Sequence, residues 1–195
     1  EFVANRMVVL RECKRIIKKS GSIFINIMDQ RKDGRILRLE SKIADAFEDE
    51  GMVLINRMIW FKNNPTYESN SGFQKSMEYI LHFVKNPDDY KWNTDWLDNK
   101  ITFLGDLTYG EVGKKRKIRD VITYEFPLEE DSSYIAGKLK TNVINNTYLK
   151  NLLEKRGYTL SHQALFPLEV PLICVLSTTD PNDLVVDVWG GLSTS

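Results

Sequence analysis

Asp183-Leu184-Val185-Val186-Asp187-Val188-Trp189-Gly190-Gly191 is the stretch on which the reading of the fold turns. A short, nearly continuous run of apolar and β-branched residues is the pattern of a strand covered on both faces, as in a parallel sheet. This run ends in an acidic residue and two glycines. Glycine lets the backbone approach a ligand where a Cβ would block it, so the stretch predicts a nucleotide-type cofactor site at the carboxyl edge of such a sheet. A tight strand-to-helix turn would carry the same letters, and Asp-x-x-Gly-Gly alone does not separate the two.

Working outward, residues 3–19 place Val3, Met7, Leu10 and Ile17 on one helical face, with Arg6, Arg11, Lys14, Arg15 and Lys18 mostly on the others. Lys18 and Lys19 suit the negative end of a helix dipole, and Gly21 predicts its stop. Ser22 to Met28 reads as a strand covered on both sides. Ile36, Leu37 or Leu39, Ile43 and Phe47 mark a second amphipathic helix ended near Gly51. Met52–Phe61 and Met77–Val84 are two further candidate strands with no helix between them, which predicts an antiparallel pair at one end of the sheet. The alternation of strand and helix predicts α/β layering on parallel strands. Residues 86–146 break the pattern and read as a loop-rich insertion. Helices are expected over Tyr148–Leu153, ended by Gly157, and from near Pro167, whose fixed φ suits a first turn.

The 195 residues, 42% of them hydrophobic, suffice for one domain with a core of its own. No window approaches the roughly eighteen apolar residues of a membrane span, so a cytoplasmic protein without membrane contact is expected. Cys13 and Cys174 lie in apolar-periodic segments without metal-ligand spacing and read as buried free thiols; no metal is expected. Lys+Arg and Asp+Glu both number 27. A nucleic-acid partner would therefore have to meet locally concentrated positive charge. Lys114-Lys115-Arg116-Lys117 with Arg119 is one such concentration, although a solvated loop has the same composition. His82, inside an apolar strand, reads as structural.

The order of the segments adds a resemblance. His162-Gln163-Ala164-Leu165-Phe166-Pro167, followed by Asp187-Val188-Trp189-Gly190-Gly191-Leu192-Ser193-Thr194-Ser195, resembles the paired H-P-A-x-F-P and D-x-F-x-G-S-G-T-T segments of the β-type, permuted, bacterial DNA amino-methyltransferases. Trp60-Phe61-Lys62-Asn63-Asn64-Pro65 is similar to the W-x-K-x-N-P segment of that family. Glu78 to Lys85 resembles the strand after it, and residues 1–27 the stretch behind the catalytic motif.

This resemblance implies an α/β, Rossmann-like, S-adenosylmethionine-dependent sheet in permuted order, incomplete, with a loop-rich insertion. Residues 1–85 would be a catalytic-side half, 86–146 a target-recognition insertion and 147–195 a cofactor-side segment. It implies methyl transfer from S-adenosylmethionine to an exocyclic amine of adenine or cytosine in double-stranded DNA, on a base flipped out of the duplex. His162, Ala164, Phe166, Asp187, Trp189, Gly190, Gly191, Ser193 and Thr194 would hold the cofactor. Trp60, Lys62 and Asn63 would stand near the flipped base, and Lys114, Lys115, Arg116, Lys117 and Arg119 on phosphates, with Trp92, Trp96 and Tyr109 free to stack or pack. Trp60 as a core residue and His162 as a local hydrogen-bonding cap are the plainer alternatives.

Three departures qualify the resemblance. Gln163 replaces a proline. Leu192 stands where the family has a small hydroxyl residue and Ser193 where it has glycine or asparagine, which counts against tight cofactor binding. No Asp/Ser-Pro-Pro-aromatic tetrapeptide, which grips the target amine in the family, occurs in the 195 residues. The expectation is a fragment without methyl-transfer activity, prone to dimerise or to recruit a sheet-completing partner through its open edges. The alternative is a non-catalytic DNA-binding or interaction module derived from the same family.

Overall fold

Two strands that run the same way, with a third wedged between them in the opposite sense, organise the molecule. The computed structural model describes residues 1–66, 73, 75–93, 108–109, 117–118, 121–124 and 169–189. The elements in chain order are helix α1 (Phe2–Ile16), strand β1 (Ser22–Ile27), the short strands β2 (Arg31–Lys32) and β3 (Arg35–Ile36), helix α2 (Leu39–Asp49), the long strands β4 (Val53–Thr66) and β5 (Lys75–Val84), three short strands β6 (Thr108–Tyr109), β7 (Lys117–Ile118) and β8 (Val121–Tyr124), and helix α3 (Glu169–Thr178).

The main sheet has the order β1-β5-β4-β8. β5 is antiparallel to β1, pairing Ser22 with Val84 and Ile27 with Tyr79, and antiparallel to β4, pairing Trp60 with Glu78. β8 is parallel to β4. β1, β4 and β8 therefore point in one direction. The expected antiparallel pair is present, but β5 lies inside the sheet and not at its end. Its own side chains explain this: Ile80, Leu81, His82, Phe83 and Val84 are buried in unbroken succession, and only a strand flanked on both sides and covered on both faces can bury such a run. β8, from the stretch that reads as loop in the sequence, adds the fourth strand.

Helices cover both faces. On one, Met7 and Leu10 of α1 and Ile43 and Phe47 of α2 pack with Ile25, Ile27, Leu81 and Phe83. Phe47 and Phe83, both fully buried, meet edge to face with ring centroids 5.0 Å apart. On the other face Val170, Ile173 and Cys174 of α3 close over Trp60 and Ile80. The period of two along β5 sends Leu81 and Phe83 to one layer and Ile80 to the other. Pro171 sits in the first turn of α3, where its missing N–H costs no helical bond.

Boundaries differ from expectation at both amphipathic helices. α1 ends at Ile16, and Gly21 belongs to the turn beyond it, where a Cβ would lie 2.5 Å from the Ile17 side chain. Ile36 is not on a helix. It lies in β3, 57% exposed, because Asp33 and Gly34 both take positive φ (52° and 73°) and fold β2 and β3 into a hairpin with a two-residue turn. α2 starts at Leu39, whose N–H donates to the Asp29 carboxylate at 3.0 Å, a cap supplied from ten residues upstream.

The largest correction concerns Asp183–Trp189. The stretch is not a buried strand: it joins no ladder, and Leu184, Val185, Val186 and Val188 are 85%, 52%, 59% and 43% exposed. Apolar, β-branched composition favours a strand only where a neighbour accepts its hydrogen bonds and a sheet face accepts its side chains, and no described strand lies beside it. The helix expected over Tyr148–Leu153 lies outside the described residues.

Candidate functional site

Because β1 and β4 are co-directional, their carboxyl ends share one edge of the sheet, the edge at which open α/β sheets bind ligands. β1 delivers Asn26 there, and β4 places Lys62 and Asn63 toward its carboxyl end, which runs on to Thr66. The start of β5 lies at the same edge. Asn26 Nδ2 donates to Glu78 Oε2 at 2.7 Å, tying β1 to β5. Trp60 faces Glu78 in register, but its ring is only 5% exposed and packs on Ile80 and α3. Of the two sequence alternatives for Trp60, the buried ring matches the core residue; it presents little surface to a base.

The segment after α3 reaches this edge by a route that two contacts define. Asp183 lies 3.8 Å from Lys18, just past the C-terminal end of α1, while Trp189 stacks with the Arg6 guanidinium 5.2 Å from its ring centroid, near the N-terminal end. The twelve residues from Arg6 to Lys18, mostly helical, and the six from Asp183 to Trp189, extended as far as Asp187, both span a little under about 20 Å. The segment thus runs antiparallel to α1. α1 itself runs antiparallel to β1, being joined to it by a short turn and packed on it through Met7 and Leu10. Asp187 and Trp189 consequently arrive at the carboxyl edge in the direction of β1, although no ladder holds them. Asp187 Oδ1 accepts the Trp189 N–H at 2.9 Å, a local turn at the residue before Gly190 in the sequence.

At the opposite edge the segment is anchored by Lys91, whose ammonium donates to Asp180 at 2.6 Å and to Asp183 at 2.5 Å. These bonds raise the Lys91 pKa. The Asp183 carboxyl is held below its usual range by the Asp180 N–H first and by Lys91 second. Neither group has the shape of a catalyst. His82 is 1% exposed, bonds Ser22 Oγ at 2.8 Å and stacks on Phe24 with centroids 4.2 Å apart; burial lowers its pKa to about 4, so it is neutral and structural. Trp92, half exposed, lies over His82 and Tyr90 and not at the carboxyl edge. Burial also pushes the Cys174 thiol up to about 12 and that of Cys13 upward, which leaves both as inert free thiols.

His162, Ala164, Phe166, Gly190, Gly191, Ser193, Thr194, Lys114, Lys115, Arg116 and Arg119 lie outside the described residues, and Lys117 is described only as a backbone position of β7. The structure thus brings Lys62, Asn63, Asp187 and Trp189 to one edge and assigns Trp60 to the core behind it. Sequence reasoning missed the positively charged β2–β3 hairpin that leaves β1 at this edge. The signal was present: Asp33-Gly34 between polar and apolar residues is a strong two-residue hairpin turn.

An antiparallel strand between two parallel ones, with helices on both faces and the Asp187 segment arriving at the carboxyl edge, is the arrangement of an incomplete Rossmann-like α/β fold. The whole chain superposes on 60% of the PvuII DNA methyltransferase (cytosine-N4-specific) with a TM-score of 0.70 at 18% identity, which supports the same fold. A family model described as DNA methylase, N6_N4_Mtase, matches residues 1–194, and the chain belongs to that family. Among similar proteins are the type II methyltransferase M.BglII of Bacillus subtilis, 25% identical over the whole chain and 49% of that protein, and the DNA adenine methyltransferase YhdJ of Escherichia coli (strain K12), 21% identical over the whole chain and 57% of that protein. The chain spans about half the length of these relatives.

Proposed function

We propose that this chain is the base-side part of a site-specific DNA methyltransferase of the restriction-modification kind, acting on an exocyclic amine of adenine or cytosine. The observation that carries the reading is the contact of Trp189 with Arg6 of α1, which sets Asp187–Trp189 on the side of the sheet where β1 and β4 end, in a chain that belongs to a DNA methylase family. The relatives' names include both an adenine and an N4-cytosine enzyme, so the amine is the shared chemistry.

The residues fit S-adenosylmethionine in one respect that the geometry supports: an acidic side chain at the carboxyl edge turns the backbone at Trp189, the residue before a glycine pair in the sequence. Asp187 and Trp189, with Gly190, Gly191, Ser193, Thr194, His162, Ala164 and Phe166, would hold it. When bound, that group supplies an electrophilic methyl on a sulfonium, and no metal is needed. The protein's part is alignment: the chain must hold the amine lone pair in line with the methyl and exclude water. Lys62 and Asn63, toward the carboxyl end of β4, would face the flipped base, with Trp60 fixing that strand from behind. Residues 86–146 would form the target-recognition region, with Lys114, Lys115, Arg116, Lys117 and Arg119 on phosphates. A cytoplasmic location is part of this reading.

The chain alone is expected to lack methyl transfer, because it contains no Pro-Pro-aromatic tetrapeptide to grip the amine. A sheet-completing partner, or a second copy, would cover Leu184–Trp189. The test has two parts. Labelled S-adenosylmethionine with mixed-sequence duplex DNA should give no incorporation above background, and calorimetric titration with S-adenosylmethionine should give measurable heat that Asp187→Ala removes. Incorporation would overturn the inactive reading. Absence of binding heat in the unaltered chain would favour a DNA-binding module without chemistry.

A further inference from the structure

The β2–β3 hairpin carries positive charge at places where folding gains nothing from it. Lys32 and Arg35 sit directly opposite one another across the ladder, and like charges in that arrangement repel. The positive-φ turn at Asp33-Gly34 holds them there. Arg38 occupies the N-cap of α2 with φ 52° and no side-chain cap bond, a position that favours small polar residues or glycine, and where the helix dipole disfavours a cation. Lys42 lies one turn further on. All four are exposed and line one open cleft of about 550 Å³. None of them forms an ion pair among the described residues. The acids nearby are largely engaged: Asp29 accepts from the Gln30 and Leu39 backbone, and Glu40 is buried beside Arg57 at 3.9 Å. Asp33 at the hairpin tip is the exception.

Local rules broken together at one surface mark a site selected for something other than stability. The hairpin leaves the end of β1, the same sheet edge at which β4 presents Lys62 and Asn63. We infer that this cleft seats the phosphodiester backbone of double-stranded DNA beside the target base, through Lys32, Arg35, Arg38 and Lys42. It is a second phosphate-contact surface, remote in sequence from Lys114–Arg119. The inference rests on the proposal that the chain engages DNA. Four cations on a tight turn and a helix start can follow a polyanion without reading sequence, which makes this a positioning surface.

Salt-dependent binding of a fluorescent mixed-sequence duplex to the 195-residue chain tests it. Lys32→Gln with Arg35→Gln should lower affinity about ten-fold at low salt and flatten the log Kd against log salt slope by about 1.8, two phosphates' worth of released counterions. Arg15→Gln on α1 should leave the slope unchanged. Melting of the double variant should equal or exceed that of the unaltered chain, since a repulsive pair is removed, so a lost slope cannot be ascribed to unfolding. An unchanged slope in the double variant, with the unaltered chain binding DNA, overturns this inference alone. No salt-dependent binding by the unaltered chain overturns the DNA reading and this inference with it. Displacement of the duplex by poly-glutamate of equal charge as readily as by unlabelled duplex would overturn the assignment in favour of an acidic polypeptide.

Discussion

Ile80-Leu81-His82-Phe83-Val84 and Leu184-Val185-Val186-Asp187-Val188 are near-equivalent on paper: five residues, four of them apolar, one polar. In the molecule they stand at opposite extremes. The first run is at most 1% exposed at every position, hydrogen-bonded to strands on both sides. In the second, Leu184 is 85% exposed and no described strand pairs with it. The polar member follows the same division. His82 finds Ser22 and an aromatic stack inside the sheet, while Asp187, on an exposed segment, accepts from the backbone two residues on. Apolar composition therefore states what a segment can bury, and the presence of ladder partners decides whether it does.

The comparison breaks most visibly at the buried run. Phe83→Ala deletes a fully buried ring packed against Phe47 and should cost about 3–5 kcal/mol. Denaturant titration checks this, and a loss below about 1 kcal/mol would mean that the β5 core is not the stabilising centre. His82 gives the next effect. Its folded pKa, lowered to about 4 by burial from the ordinary 6.5, means that only the unfolded chain takes up its proton as pH falls below 6.5. Its contribution is intact above that value and is lost towards the folded pKa. By pH 5 the loss is about 2 kcal/mol, from linkage. His82→Phe should flatten the stability profile between pH 6.5 and 5, and an unflattened profile would assign the slope to other groups.

The exposed run should answer least. Leu184→Lys with Val186→Lys is expected to change stability by no more than about 0.5 kcal/mol, as for surface substitutions elsewhere. If that run docks a partner or a second copy, the same pair of changes should abolish concentration-dependent association in light scattering. A large loss of stability in the double lysine variant would place the run in the core of the isolated chain and erase the contrast.

Much of this was readable from the residues. Periodicity located α1, α2, β1, β4 and β5, and Pro167 pointed to α3 within two residues of its start. Gly51, at φ 82°, ends α2 as a glycine should. The central place of β5 was not readable as a pairing, since ladder partners are chosen by non-local packing, although its unbroken apolar run hinted at cover on both faces. Ile36 was misplaced because an isoleucine at helical spacing outweighed the Asp33-Gly34 turn signal beside it. Asp187 and Trp189 were legible as a candidate site from the acidic-glycine pattern. The hairpin cations were not, because charge on a turn reads as solvation until the register puts Lys32 opposite Arg35.

The wedge of β5 between two co-directional strands also sets a timetable. Asn26 and Glu78, bonded to each other across β1 and β5, are 52 residues apart in the chain. β4 and β5 close on each other through a short connection. Among the described strands β1 is synthesised before its ladder partner β5, which follows on the order of several seconds later at ordinary synthesis rates of roughly 5–20 residues per second. Through that interval α1 can shield only one face of β1, and the Asn26 bond to Glu78 waits for a strand still being written.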